Sequence, residues 1–139
     1  QYQTEIQTIT HQQFAYYQHC KQLRSYANER GIHFFGDMPI FVAYDSADVW
    51  AHPERFLLDD KGQPTYVTGV PPDYFSETGQ RWGNPHYNWD YMQSEDFRWW
   101  KQRLDYHFEF FDIVRIDHFR GLAASWMIRR VRPGSSVTF

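Results

Sequence analysis

Ten residues near the C-terminal end constrain the chain most: Asp112-Ile113-Val114-Arg115-Ile116-Asp117-His118-Phe119-Arg120-Gly121, the first six of which alternate. Strand side chains alternate between faces, so Ile113, Arg115 and Asp117 share one face while Val114 and Ile116 share the other. The branched pair suits burial beneath a helix. The opposite face carries a permanent cation and then a carboxylate at the strand's end. In a β/α barrel that end opens on the C-terminal mouth, where catalytic side chains sit. A nearby cation favours the ionised form of a carboxylate, and an ionised aspartate can serve as a nucleophile. The same two residues also suit a structural ion pair that does no chemistry. His118 and Arg120 add polar groups to an apolar strand and turn, where they are costly to bury without partners.

Upstream, the pattern reads as helix followed by strand, twice. Thr10 with Gln13 forms a capping box, and Phe14, Tyr17, Lys21/Leu23 and Ala27 give a helical stripe up to about Arg30, where Gly31 supplies a left-handed stop. Ile32 to Asp37 reads as a strand with Ile32 and Phe34 on one face and His33, Phe35 and Asp37 on the other. Asp37 thus ends its strand as Asp117 ends its own, and an aspartate capping the following turn is the alternative. Ser94, with Glu95 and Asp96 behind it, reads as the start of the second helix. Phe97, Trp100, Leu104, His107/Phe108 and Phe111 keep its 3.6-residue period. Such alternation belongs to an α/β protein with a parallel sheet. His107 is expected to be satisfied on its helix face, and the histidines show no metal-ligand spacing.

Between Ala43 and Pro85 the chain reads as irregular, broken by prolines and glycines. Asp59-Asp60-Lys61-Gly62 signals a turn at the tip of a small hairpin leading to Thr65-Tyr66-Val67. A loop this long is usually functional or disordered. Disorder fits badly, because Tyr66, Tyr74, Phe75, Trp82 and Tyr87 are expected to be too costly to leave in water. They can form a local core, or a surface that grips a ligand.

Length and composition bound the function. At 139 residues the chain is too short for a complete (β/α)₈ barrel, which takes about 250 residues. A net charge of −3 without a basic stripe before residue 129 argues against nucleic acid. No apolar run approaches a membrane span. The lone Cys20 excludes an internal disulfide. The aromatic share is 20%, with Trp 6, Tyr 10 and Phe 12, which suits either a core or a surface for the flat C–H faces of sugars.

Three strings in order, Gly36-Asp37-Met38-Pro39-Ile40-Phe41-Val42-Ala43, Gly79-Gln80-Arg81-Trp82-Gly83-Asn84-Pro85 and Asp112 to Gly121, resemble motifs of the 4-α-glucanotransferases, or amylomaltases, relatives of the α-amylases. The resemblance runs from about Phe14 to Ile128. It implies a fragment of a TIM barrel, about two βα units with a long aromatic-rich insertion, covering residues 1–128. Residues 129–139 match nothing in the pattern and are expected to be disordered. By resemblance Asp117 is the nucleophile and Arg115 orients it and holds it ionised. Asp37, Tyr74, Phe75, Trp82 and His118 contact substrate, with Tyr74-Phe75 at the tip of a lid.

The implied reaction is retaining transfer of α-1,4-glucan segments to a sugar 4-hydroxyl, without cofactor or metal. The implied partners are maltooligosaccharides and the rest of the parent barrel, with neither nucleic acid nor membrane. The implied location is the cytoplasm, or a plastid if a missing N-terminus carries a transit peptide. The family's acid/base glutamate lies in a Gly-Glu-Asp-Leu-Gly-type motif that this chain lacks, so the chain alone is expected to be inactive. A non-catalytic carbohydrate-binding fragment and a hydrolase of the α-amylase clan are the alternatives.

Overall fold

A run of Gln, Thr and Glu without Gly or Pro lets helix α1 begin at Gln3 and continue to Asn28 in the computed structural model, which describes residues 2–130. The capping box expected at Thr10 is therefore overturned. Thr10 lies inside the helix and its hydroxyl donates to the Ile6 carbonyl at 2.8 Å, the usual way a threonine is satisfied there. The stop at Gly31 holds: its φ is +72°, and Ile32 N–H reaches back to the Ala27 carbonyl at 3.0 Å. That left-handed closure favours a residue without Cβ.

The strand expected over Ile32–Asp37 is shifted, because β1 spans Phe35–Pro39. Side chains occupy the backbone groups just before it. Asn28 Nδ2 donates to the Ile32 carbonyl at 3.0 Å, and Phe34 N–H donates to Asp112 Oδ2 at 2.7 Å. Within β1 the alternation is as read, with Phe35 and Asp37 exposed and Gly36 and Met38 buried.

The described residues divide into two compact units, one of residues 2–38 and 100–115, the other of 39–99 and 116–130. In the first, α1 and the C-terminal part of the later helix α4 (Arg98–Phe110) are joined through side chains. Arg24 makes two contacts with Asp112 Oδ1, at 3.0 and 2.7 Å, and also donates to the Phe108 and Glu109 carbonyls. Asn28 donates to Asp112 Oδ2 at 3.0 Å. Tyr17 donates to Glu109, which Lys21 also reaches. His107 bonds the Arg103 carbonyl through Nδ1 at 2.7 Å, as expected of a helix-face histidine. Strand β4 then runs Ile113–Asp117 with the expected alternation, one residue shorter than the alternating run that begins at Asp112, and β1 and β4 make a two-stranded sheet.

In the second unit the stretch read as irregular holds real elements. Short helix α2 (Ala47–Ala51) and a 3₁₀ turn at Pro53–Arg55 precede strands β2 (Tyr66–Val70) and β3 (Gln80–Pro85). The breakers exclude long elements and leave room for short ones. Asp59 forms the expected turn, its carboxylate accepting from Lys61 and Gln63 N–H at 2.9 Å each.

Ser94 is not a helix start. It ends helix α3 (Trp89–Ser94), which Asn88 caps, and its hydroxyl donates back to the Tyr91 carbonyl at 2.6 Å. Left-handed residues Asp96 and Phe97, with φ of 55° and 51°, then separate α3 from α4. Glu95 pairs with Arg55 through two contacts of 3.1 Å.

Strand β5 (Trp126–Arg129) was not legible in advance. It pairs antiparallel with β2, Tyr66 opposite Arg129, and gives a three-stranded sheet ordered β3-β2-β5. The expected disordered tail thus begins with an ordered residue, and Arg130 N–H donates to Thr65 at 3.2 Å; residues 131–139 lie outside the described residues. The core centres on Tyr87, whose ring lies 5.8 Å from Phe41, 5.5 Å from Phe56, 5.2 Å from Trp89 and 5.5 Å from Trp99. Its hydroxyl donates to the Ile40 carbonyl at 2.6 Å. Among the described residues no helix is long and apolar enough to cross a membrane.

Candidate active site

The exposed face of β4 presents Ile113, Arg115 and Asp117 in that order. Arg115 grips Asp37 with both arms, Nε to Oδ1 at 3.0 Å and Nη2 to Oδ2 at 2.5 Å. Planar guanidinium and planar carboxylate match in such a fork, which fixes both side chains in direction as well as distance. Those hydrogen bonds hold the Asp37 carboxyl below its ordinary range, partial burial opposing them. The sequence reading placed Asp37 and Arg115 separately and did not pair them. Nothing in a one-dimensional pattern shows that two strands distant in the chain are neighbours.

Asp117 closes β4 on the face that Arg115 occupies. The next residue, His118, takes the left-handed conformation with φ of 51°. A non-glycine residue there is held by its surroundings and is more frequent at functional sites. Its surroundings are specific. A Cβ added at buried Gly121 would stand 2.9 Å from Ile40 Cδ1 and 3.0 Å from His118 Cδ2, so glycine leaves room for the imidazole.

His118 meets the ring of Trp82 edge-on at 4.9 Å. Trp82 is set by β3 and by its indole N–H, which donates to Gln80 Oε1 at 3.0 Å. Phe41 lies behind both, 6.4 Å from Trp82 and 6.5 Å from His118. Phe41 was not singled out in the sequence, although it lies within the first of the three strings.

Tyr74 and Phe75 differ from the other loop aromatics. They cap the turn between β2 and β3, where the Asp73 carboxylate accepts from Phe75 and Ser76 N–H at 2.9 Å each. Their rings touch edge to face at 6.4 Å, yet they are 101% and 90% exposed. The expectation that these rings would avoid water holds for Tyr87, holds only in part for Tyr66 and Trp82, each 38% exposed, and fails for this pair. A tight polar turn holds them out.

A family model described as 4-alpha-glucanotransferase matches residues 1–136. The chain belongs to the 4-alpha-glucanotransferase family. It is 58% identical over 116 residues to the 4-alpha-glucanotransferase of Thermus thermophilus, covering 84% of this chain and 23% of that protein. It is 50% identical over 130 residues to the chloroplastic/amyloplastic 4-alpha-glucanotransferase of Solanum tuberosum, covering 91% and 23%. Among solved structures, amylomaltase from Streptococcus agalactiae in complex with acarbose superposes with a TM-score of 0.81 at 49% identity, covering 84% of this chain and 24% of that one. The chain therefore spans about a quarter of the length of these relatives. In the 4-alpha-glucanotransferase family match, all three strings quoted above lie inside the matched range, which extends beyond the run from Phe14 to Ile128 at both ends.

Proposed function

We propose that this segment carries the nucleophile strand and part of the glucan-gripping surface of a 4-α-glucanotransferase built on a TIM barrel. The observation that carries the reading is the exposed face of β4, where Arg115, locked to Asp37, precedes Asp117 at the strand's end, in a chain of this family. Asp117 is the nucleophile that takes the glycosyl group from an α-1,4-glucan. Arg115 orients it. Asp37, Trp82, His118 and the Tyr74-Phe75 tip contact the sugar.

A retaining transfer needs a second carboxyl about 5–5.5 Å from the first to act as acid and base. The Gly-Glu-Asp-Leu-Gly-type motif expected to supply it does not occur in this sequence. General acid–base help is typically worth 10²–10⁴-fold, so the 139-residue chain alone is inactive in this reading and the activity belongs to a longer protein.

The test is Asp117→Asn in a full-length protein that carries this segment. The amide keeps the shape and loses the attacking charge. Turnover of maltotriose into longer oligosaccharides should fall to the background while glucan still binds. Mass spectrometry should find a glycosyl ester at residue 117 in the wild type alone. Retention of more than a few per cent of turnover, with no ester trapped, removes Asp117 from the chemistry.

A further inference from the structure

One buried polar side chain in the second unit has no role in the site as described. His86 follows β3 directly and is 4% exposed. Burying a polar ring is unfavourable unless it gains partners. Its Nδ1 lies 3.1 Å from Ser125 Oγ, just before β5, and the Val67 carbonyl of β2 lies against the imidazole. Among the described residues Nε2 has no hydrogen-bond partner of ordinary geometry. One ring thus touches the segments of all three strands, and its remaining contact is a π-face. Phe41 stands 5.9 Å from it at an interplanar angle of 70°.

Phe41 is the ring against which both Trp82 and His118 lean. A side chain that sets Phe41 therefore sets the pair expected to meet sugar. We propose that His86, pinned by Ser125, is a positioning residue for Trp82 and His118. The route runs from Ser125 to His86, to Phe41, and then to the rings of Trp82 and His118. An aliphatic side chain at this position fills the space but makes no directional bond to Ser125, so the plane it offers to Phe41 is not fixed. The aromatic edge contact is itself orientation-dependent. The inference rests on the reading that Trp82 and His118 contact the glucan.

The experiment compares His86→Leu, Ser125→Ala, the double variant, His86→Gln and Trp82→Ala in a full-length protein carrying this segment. It reads kcat and KM for maltotriose transfer together with Tm. His86→Leu should raise KM by about threefold to tenfold, with kcat within about twofold, because the grip is loosened and the chemistry is elsewhere. Its Tm should fall modestly, since Ser125 Oγ and the Val67 carbonyl lose the ring they contact, so KM and not Tm decides.

Ser125→Ala should move KM the same way, and the double variant should be no worse than His86→Leu alone, the signature of two residues acting through one contact. His86→Gln, which can keep a bond to Ser125, should retain much of the wild-type KM. It also serves if His86→Leu does not fold. An unchanged KM in His86→Leu while Trp82→Ala raises KM overturns this inference alone, as does a Ser125→Ala effect that adds in full to that of His86→Leu. A Trp82→Ala variant with unchanged KM overturns the reading of the sugar site, and this inference with it.

Discussion

Asp112 and Tyr87 occupy comparable places in their two units but hold them by different physics. Asp112 gathers Asn28, the Phe34 N–H and Arg24 around one ionised carboxylate. Those bonds, Asn28 first, push its pKa far below the usual carboxylate range. Tyr87 is 2% exposed and gathers Phe41, Phe56, Trp89 and Trp99 around one ring. The first arrangement is directional and depends on charge, so acid should loosen it. The second rests mainly on area and shape, so a change of volume should loosen it most. Around Asp112 the helices expose much apolar surface: α1 buries only Ala27 among its 26 residues, which suits a piece that packs against further structure.

The largest effect is expected at the ring lattice. Tyr87→Ala removes the centre of the core and should destabilise the second unit by about 3–5 kcal/mol, read as a fall in the urea midpoint. Tyr87→Phe keeps the packing and removes the hydroxyl's bond to the Ile40 carbonyl, a loss of about 1 kcal/mol. Equal losses in the two variants would mean that the hydroxyl, rather than the ring, organises this unit.

Next comes the carboxylate. Asp112→Asn turns an acceptor for three donors into a group with an N–H₂ facing one of them, and Tm should drop by several degrees. The pH dependence has a definite sign. The folded-state pKa is depressed, so the unfolded chain binds the proton first as pH falls. The stabilisation is complete above the ordinary aspartate value of about 3.9 and is lost as pH drops toward the folded value. Melting curves collected from about pH 6 downward should show a steeper acid loss in the wild type than in Asp112→Asn. Parallel curves would show that Asp112 is not ionised in the fold.

A smaller effect separates close approach from either scheme. The first unit has one contact without slack, where a Cβ on Gly36 would stand 2.4 Å from the Phe111 ring. Gly36→Ala should cost roughly 1–3 kcal/mol as overpacking. Phe111→Leu added to it should recover part of that loss. No recovery in the double variant would place the strain in the backbone.

What the sequence disclosed follows the same division. The period of two in residues 112–117 set the faces of β4 and its C-terminal end, because alternation is a local property. Gly31 marked the end of α1 for the same reason. Thr10 and Ser94 misled because capping residues are also tolerated within helices and at their ends, where their hydroxyls bond back to a carbonyl one turn earlier. Strands β2, β3 and β5 were obscured by their neighbouring prolines and glycines and by pairing between segments far apart in the chain. The bond from Arg115 to Asp37 and the contacts of His86 are also non-local. The candidates Asp37, Trp82, Arg115, Asp117 and His118 came from motif strings, Tyr74 and Phe75 from resemblance to a lid, and their partners came only from the fold.

The smallest effect on stability, and the sharpest use of the comparison, is at the Tyr74-Phe75 tip. These rings belong to neither scheme: they bury almost nothing, and their turn is held by Asp73 and by the Ser76 hydroxyl donating to the Gly79 carbonyl at 2.7 Å. Replacing both by serine keeps that polar turn, so Tm should change by no more than surface substitutions usually cause, within about 0.5 kcal/mol. If the rings exist to hold glucan, the same double variant in a full-length protein should bind long maltooligosaccharides more weakly. Maltotriose should bind almost as before if the tip grips only the distal sugars of a longer chain. Asp117→Asn should show the reverse, intact binding and lost turnover. Chain-length-resolved binding measurements on the two variants therefore test whether grip and chemistry are separate. An equal loss for short and long glucans would place the tip beside the reacting bond, and a large fall in Tm would make the rings part of the fold instead of the grip.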